Sequence, residues 1–325
     1  MKFVKFLTLL ISSSFFTRVQ AQQWETLDLS NSCTKRHEAS LVSVGDKVFL
    51  LGGRGIKPVE ILDTKTQTWT KGAETPIEFH HFQAVAYDNE IYVAAAFTGT
   101  QLFPHETPIE HMYIYNIDSD TWREGPSLPK DRLRGAAGCV VYDDKLYFVG
   151  GALDGHWDGH VTWVDVFNPE TQTWQKLADA PHARDHVSIV VIDGKIYVAG
   201  GRRTSGKIGK FLDLTEAVVD VYDIANNSWE TFPASSNIPT QRAGASAVVM
   251  DQQLLIIGGE SGVQKQAHNE VEAFDPETGQ WKKLSGLNRG RHGTGAALIN
   301  GKIYTAAGCG NSGGTPELDS VEVYE

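Results

Sequence analysis

The chain has 325 residues, with 29 Lys plus Arg against 40 Asp plus Glu and a net charge of −11. Hydrophobic residues make up 41 % and charged residues 21 %, a globular rather than a disordered composition. The acidic balance excludes a nucleic-acid binder as a whole, and three cysteines exclude a disulfide-dense scaffold.

Residues 1–21 begin Met-Lys-Phe-Val-Lys, continue as an apolar run to Phe16 and end on Val19-Gln20-Ala21. A basic start, a short apolar core and a small-residue end predict a secretory signal peptide cleaved near Ala21. The run is too short for a permanent membrane helix, and no later run approaches 18 apolar residues, so no stable membrane insertion is expected. The mature chain, 22–325, then carries 26 basic and 40 acidic residues, a net of −14. A secreted or periplasmic location follows as an expectation.

From Trp24 onward one pattern recurs. Trp24, Trp69, Trp122, Trp174, Trp229 and Trp281 lie 45, 53, 52, 55 and 52 residues apart. A period near 50 indicates a propeller or a similar array. Ahead of each of the five later Trp comes a strand-like run such as Val219-Asp220-Val221-Tyr222-Asp223 and a turn such as Asn168-Pro169-Glu170-Thr171. Earlier in each unit, two apolar runs flank a hairpin turn, Gly45-Asp46-Lys47, Asp193-Gly194-Lys195 or Asn300-Gly301-Lys302. The second run ends on a small pair: Gly52-Gly53, Ala95-Ala96, Gly150-Gly151, Gly200-Gly201, Gly258-Gly259 or Ala307-Gly308. Glycine there lets backbones crowd near an axis.

Each unit thus predicts four strands, a to d, and the pattern is identified as the kelch repeat. The resemblance to kelch β-propellers covers the whole mature chain. It implies an all-β, six-bladed propeller in one domain, with blades at 33–76, 77–129, 130–181, 182–239, 240–287 and 288–325 plus 22–32. The last copy stops at Val321-Glu322-Val323-Tyr324-Glu325, which is strand c, so Gln23-Trp24-Glu25-Thr26-Leu27 is expected to close the ring as its strand d.

In such a ring the d–a and b–c connections share one face, termed upper. Twelve residues before strand b stand Arg36, Phe79, Arg134, Arg184, Arg242 and Arg291; next come His37, His80, Gly135, Asp185, Ala243 and His292. Arg54 and Arg202 directly follow their small pairs, and Arg203 comes next. All eleven His and every mature-chain Arg except Arg123 fall on this face or at its strand starts. A planar guanidinium fits carboxylate, phosphate or sulfate. The expected ligand set is therefore Arg36, His37, Arg54, His80, Arg134, Trp157, Arg184, Arg202, Arg203, Arg242, Arg291 and His292, around an anionic or polar carbohydrate. The bland alternative is that Arg opening strand a braces a loop by bonding backbone carbonyls. Trp157, in the blade 3 loop Asp154-Gly155-His156-Trp157-Asp158-Gly159-His160, either stacks on a sugar or caps its own loop. Long b–c loops in blades 2, 3 and 4 and a short one in blade 1 predict a cleft on one side.

His81, His186 and Glu260 are the candidates for acid–base chemistry, were the protein a sugar mutarotase or isomerase like the exported kelch-type N-acetylneuraminate epimerase. The copper-radical chemistry of galactose oxidase, another kelch-type propeller, is rejected, because no tyrosine stands at the mouth. No metal site and no cofactor are expected: His80, His81, His186 and His292 alternate in facing, and no His-x-His or His-Glu-x-x-His motif occurs. A protein-interaction propeller holding an acidic peptide is the remaining alternative. Cys33 and Cys309 both belong to the closing blade and are a disulfide candidate; Cys139 reads as a buried apolar thiol.

Overall fold

Each Trp-centred unit folds as a four-stranded antiparallel sheet, and six such sheets form a closed ring. The computed structural model describes residues 22–99 and 101–325; the predicted signal peptide, 1–21, lies outside them. Blade 1 comprises strands Ala39–Val44, Lys47–Gly52, Pro58–Asp63 and Thr68–Glu74. Blade 5 repeats it with Ser246–Met250, Gln253–Ile257, Val271–Asp275 and Gln280–Lys283. In blade 6 the outer strand is Trp24–Thr26, registered Trp24 to Tyr324 and Thr26 to Glu322. Hairpin turns at the lower face use left-handed pairs, as at Asp193-Gly194 with φ of 49° and 73°.

The core lies between blades. One cluster joins Leu41, Val48 and Leu50 of blade 1 to Ile299, Val321 and Val323 of blade 6, and comparable wedges fill the other junctions. The period tryptophans tie neighbours together. The indole N–H of Trp174, Trp229 and Trp281 donates to the carbonyls of Ser127, Ala178 and Ser236 on the preceding blade's side, at 3.1, 2.8 and 2.8 Å.

The recurrent arginine has a structural task. Arg36, Arg134, Arg184, Arg242 and Arg291 are at most 2 % exposed. Each guanidinium donates to the carbonyl sixteen residues on, Gly52, Gly150, Gly200, Gly258 or Ala307. Each also pairs with an acid early in strand c of its own blade: Glu60, Asp165, Asp220, Glu272 or Glu322. Blade 2 replaces both partners at once. Phe79 stands for the arginine, Tyr113 for the acid, and their rings stack at 5.8 Å. An apolar pair fills the space of the ion pair without a charge to desolvate.

The small pairs meet the next blade. Gly53, Gly151, Gly201, Gly259 and Gly308 donate their N–H to the carbonyls of Phe79, Arg184, Arg242, Arg291 and Arg36. A Cβ on Gly258 would lie 2.3 Å from the Arg291 carbonyl oxygen, and φ there is +64°. Glycine suits that left-handed place, and blades 2 and 6 carry alanine there, at φ of 48° for Ala95 and 57° for Ala307.

At the axis the blades are joined by a hoop of main-chain hydrogen bonds. His81 N donates to Glu38 O, Ala136 to His81, His186 to Ala136, Gly244 to His186, Gly293 to Gly244, and Ala39 to Gly293, at 2.8–3.1 Å. The bore holds only about 40 Å³ beside this hoop and widens below it to about 370 Å³.

Candidate functional site

The upper mouth is assembled from the hoop residues, the residues after the small pairs, and the b–c loops. Glu38, Ala136 and Gly293 at the hoop have φ of 56°, 56° and 62°, and His81 and His186 have 53° and 51°. This left-handed step breaks the strand alternation expected for the histidines. His81 and His186 therefore converge, with ring centroids 4.7 Å apart, and His156 from the blade 3 loop lies 5.0 Å from each. His292 stays outside this group, so the four aligned histidines do not all converge, but His81 and His186 do, because extended geometry does not hold at their position.

Carboxylates interleave with them. Asp185 contacts His186 Nδ1 and accepts Thr204 N–H at 2.8 Å and Thr204 Oγ1–H at 2.6 Å. Glu106 accepts from Arg54 Nη2 at 2.5 Å and lies 3.2 Å from His156 Nδ1. Glu260 accepts from Arg202 Nη1 at 2.6 Å and from Gly313 N–H at 2.8 Å, and lies 3.4 Å from His292 Nε2. Burial favours the neutral acid in each case. The facing His292 and Arg202 outweigh it for Glu260, and His186 and Arg202 do so for Asp185, so both carboxyls fall to about 2. Glu106 and Glu38 are likewise held well below the ordinary range, with His81 the strongest opposing charge. Burial pushes His186 down to about 4, aided by Arg202.

Arg202 is the one arginine of the mouth layer that is fully buried and outside the brace set, and it is committed to Glu260 and Thr204. Arg54 and Arg203 are partly exposed and paired with Glu106 and Glu216. His37 bonds Glu317 at 2.7 Å, His80 contacts His81, and His292 Nε2 donates to the Asn311 carbonyl at 2.8 Å. Trp157 is half-buried and packs on His105 at 4.9 Å. The three long loops do not stand apart as a cleft. Phe103 of blade 2 lies 5.4 Å from both His156 and Phe211, His156 N–H donates to Pro104 O, and Gly206 N–H donates to His156 O. Cys33, Cys139 and Cys309 are all buried free thiols. The expected Cys33–Cys309 bridge is not formed, and Cys33 Sγ donates instead to the Asp319 carbonyl at 3.5 Å.

Residues 11–267 match the family model described as the Attractin/LZTR1 beta-propeller, and residues 290–325 match the Kelch motif. The chain belongs to the Attractin/LZTR1 family of kelch propellers. Kelch-like protein terF of Aspergillus terreus is 26 % identical over 306 residues, covering 88 % of this chain and 64 % of that protein. Human Kelch-like protein 23 is 26 % identical over 282 residues, covering 86 % of this chain and 46 % of that protein. The chain thus spans roughly half to two thirds of the length of such relatives. A solved structure described as "Structure of YjhT" superposes with a TM-score of 0.74 at 18 % identity, covering 90 % of this chain and 95 % of that one, a likeness of fold alone.

In this kelch propeller His292 is a second buried cation of the mouth, beside Arg202. Burial opposes its charge, but Glu260, a hydrogen bond with Cys309 and Glu38 together raise it to about 9. A raised histidine contributes stability that is complete below pH 6.5 and lost as pH climbs through 9. The contribution is about 3 kcal/mol. Urea midpoints at pH 6, 8 and 10 are expected to fall steeply in the native kelch propeller and to flatten in His292→Gln. Parallel alkaline slopes in the two proteins would refute this role. Glu106 and His156 were not singled out as site residues from the sequence. Their signal was their place in the long b–c loops of blades 2 and 3, beside residues that were.

Proposed function

We propose that this propeller is a protein-interaction module that docks a partner on its upper face. One observation carries the reading. Among the described residues, Ile56, Leu102, Phe103, Leu153, Ile208 and Val263 are exposed large hydrophobics, and all six lie on upper b–c connections of blades 1 to 5. Leu102 and Val263 are 89 % and 84 % exposed. The other such residues, Tyr142 and Leu298, lie on strands near the lower face and the bore. Apolar side chains gathered on one rim are the mark of an association surface. Kinship with proteins named kelch-like supports the same reading. The partner is a protein or peptide that presents apolar side chains. The composition of residues 1–21 supports export as its setting.

A carbohydrate at the mouth is the second reading. Arg54, Arg203 and Trp157 favour it, being the members of the expected ligand set that keep exposed surface. The five brace arginines do not contribute, since their forks are engaged inside the blades. The isomerase variant is weakened by the cavity at His81 and His186, about 40 Å³, against the 300 Å³ or more typical of small-molecule sites.

A displayed peptide library panned on the purified protein tests the two. Enriched peptides are expected to carry apolar residues and to bind Phe103→Asp/Ile208→Asp about 30-fold or more weakly, as for loss of a hot spot. Thermal shifts with uronic, sialic or sulfated sugars that vanish in Arg54→Ala/Trp157→Ala would install the carbohydrate reading in its place.

A further inference from the structure

We infer that His81, His156 and His186 form a divalent transition-metal site over the propeller axis. One ring nitrogen from each lies within 4.8 Å of the others. Three imidazoles bound to a tetrahedral ion at about 2.0–2.1 Å place their ring centroids about 5 Å apart. The observed separations are 4.7, 5.0 and 5.0 Å.

The second observation is independent of that spacing. His81 Nε2, His186 Nε2 and His156 Nδ1 are buried without a hydrogen-bond partner, and the three residues are at most 9 % exposed. Buried ring nitrogens left without a hydrogen-bond partner are costly, and two of these three face carboxylates that border the cluster, His81 Nε2 at 3.2 Å from Glu38 Oε2 and His156 Nδ1 at 3.2 Å from Glu106 Oε2. The surroundings match those of ligating histidines. Asp185 holds His186 Nδ1, and Asp185 is itself fixed by Thr204, so the opposite nitrogen of His186 is aimed inward. The buried Glu106 carboxylate, whose Oε2 also lacks a hydrogen-bond partner, lies 3.2 Å from His156 Nδ1. It supplies a negative charge, or a fourth ligand, to a dication. Three imidazoles with one carboxylate suit zinc, and also copper or nickel.

The test uses the untagged full chain, stripped with a chelator and titrated with Zn2+ and Co2+. One equivalent of each is expected to be retained through gel filtration, with the intense visible bands of tetrahedral Co2+ and a rise in Tm. His156→Gln, which alters a loop rather than a hoop residue, is expected to weaken Zn2+ at least about 100-fold, beyond the loss of a mere outer partner. Asp185→Asn is expected to weaken it about 10- to 100-fold. No retained metal in the native chain overturns the site. So does a Co2+ spectrum that is weak and octahedral, or one unchanged in His156→Gln. The native Co2+ spectrum decides the matter even where a variant fails to fold.

Discussion

Arg242→Ala is expected to destabilise the propeller by about 3–5 kcal/mol, the usual result of removing one partner of a buried ion pair. The guanidinium holds Glu272 at 2.6 Å, the Gly258 carbonyl at 2.5 Å and the Thr240 and Ile256 carbonyls at 2.6 and 3.0 Å. Truncation strands all of these without water. Glu272→Gln, which keeps an acceptor oxygen and removes the charge, is expected to cost less. Urea denaturation decides it, with a lower midpoint and an unchanged slope. A loss under about 1 kcal/mol would mean that the fork is dispensable to the blade, and the arginine would return as a ligand candidate. The Phe79–Tyr113 pair of blade 2 shows why the charge itself is not indispensable. What the blade needs is a matched pair bridging strand a and strand c.

Trp24→Ala is the second large effect, also about 3–5 kcal/mol. Trp24 is buried at the junction of blades 5 and 6, with Leu255, Ile257, Val271 and Ala273 on one side and Ile303 and Tyr324 on the other. It lies 5.4 Å from the Tyr324 ring and sits on the short strand that closes the ring. Its loss leaves a cavity on a short seam, three registered residue pairs flanked by the main-chain bonds of Gln23 with Glu325 and of Leu27 with Val321. Hydrogen exchange is expected to rise first in 321–324, while 39–74 keeps its protection. Uniform acceleration across all blades would show instead that closure and the rest of the ring unfold as one unit.

The architecture was legible because it is periodic. The tryptophans, the hairpin turns and the small pairs recur in each unit, and the missing last strand pointed to 23–27. The purpose of the arginines was legible too, but only to an alignment on strand c. Val59-Glu60, Val164-Asp165, Val219-Asp220, Val271-Glu272 and Val321-Glu322 place an acid in the five blades with arginine, and Met112-Tyr113 lacks it in the blade with Phe79. Alignment on strand b hid this, because b–c loops of unequal length vary the spacing. The histidine cluster was not legible. His81 and His186 converge through a left-handed backbone step, and His156 arrives from a loop whose path is set by contacts with Phe103 and Gly206. Neither leaves a mark in residue spacing.

The hoop at the axis separates inheritance from invention. Its six bonds run between main-chain atoms, and the side chains at those positions range from Gly244 and Gly293 through Ala136 to His81, His186 and Glu38. In five blades one residue offers both amide and carbonyl whatever its side chain, and in blade 1 Glu38 offers the carbonyl and Ala39 the amide. A lineage can therefore rewrite the chemistry at the throat of this molecule, residue by residue, while the diameter of that throat stays constant.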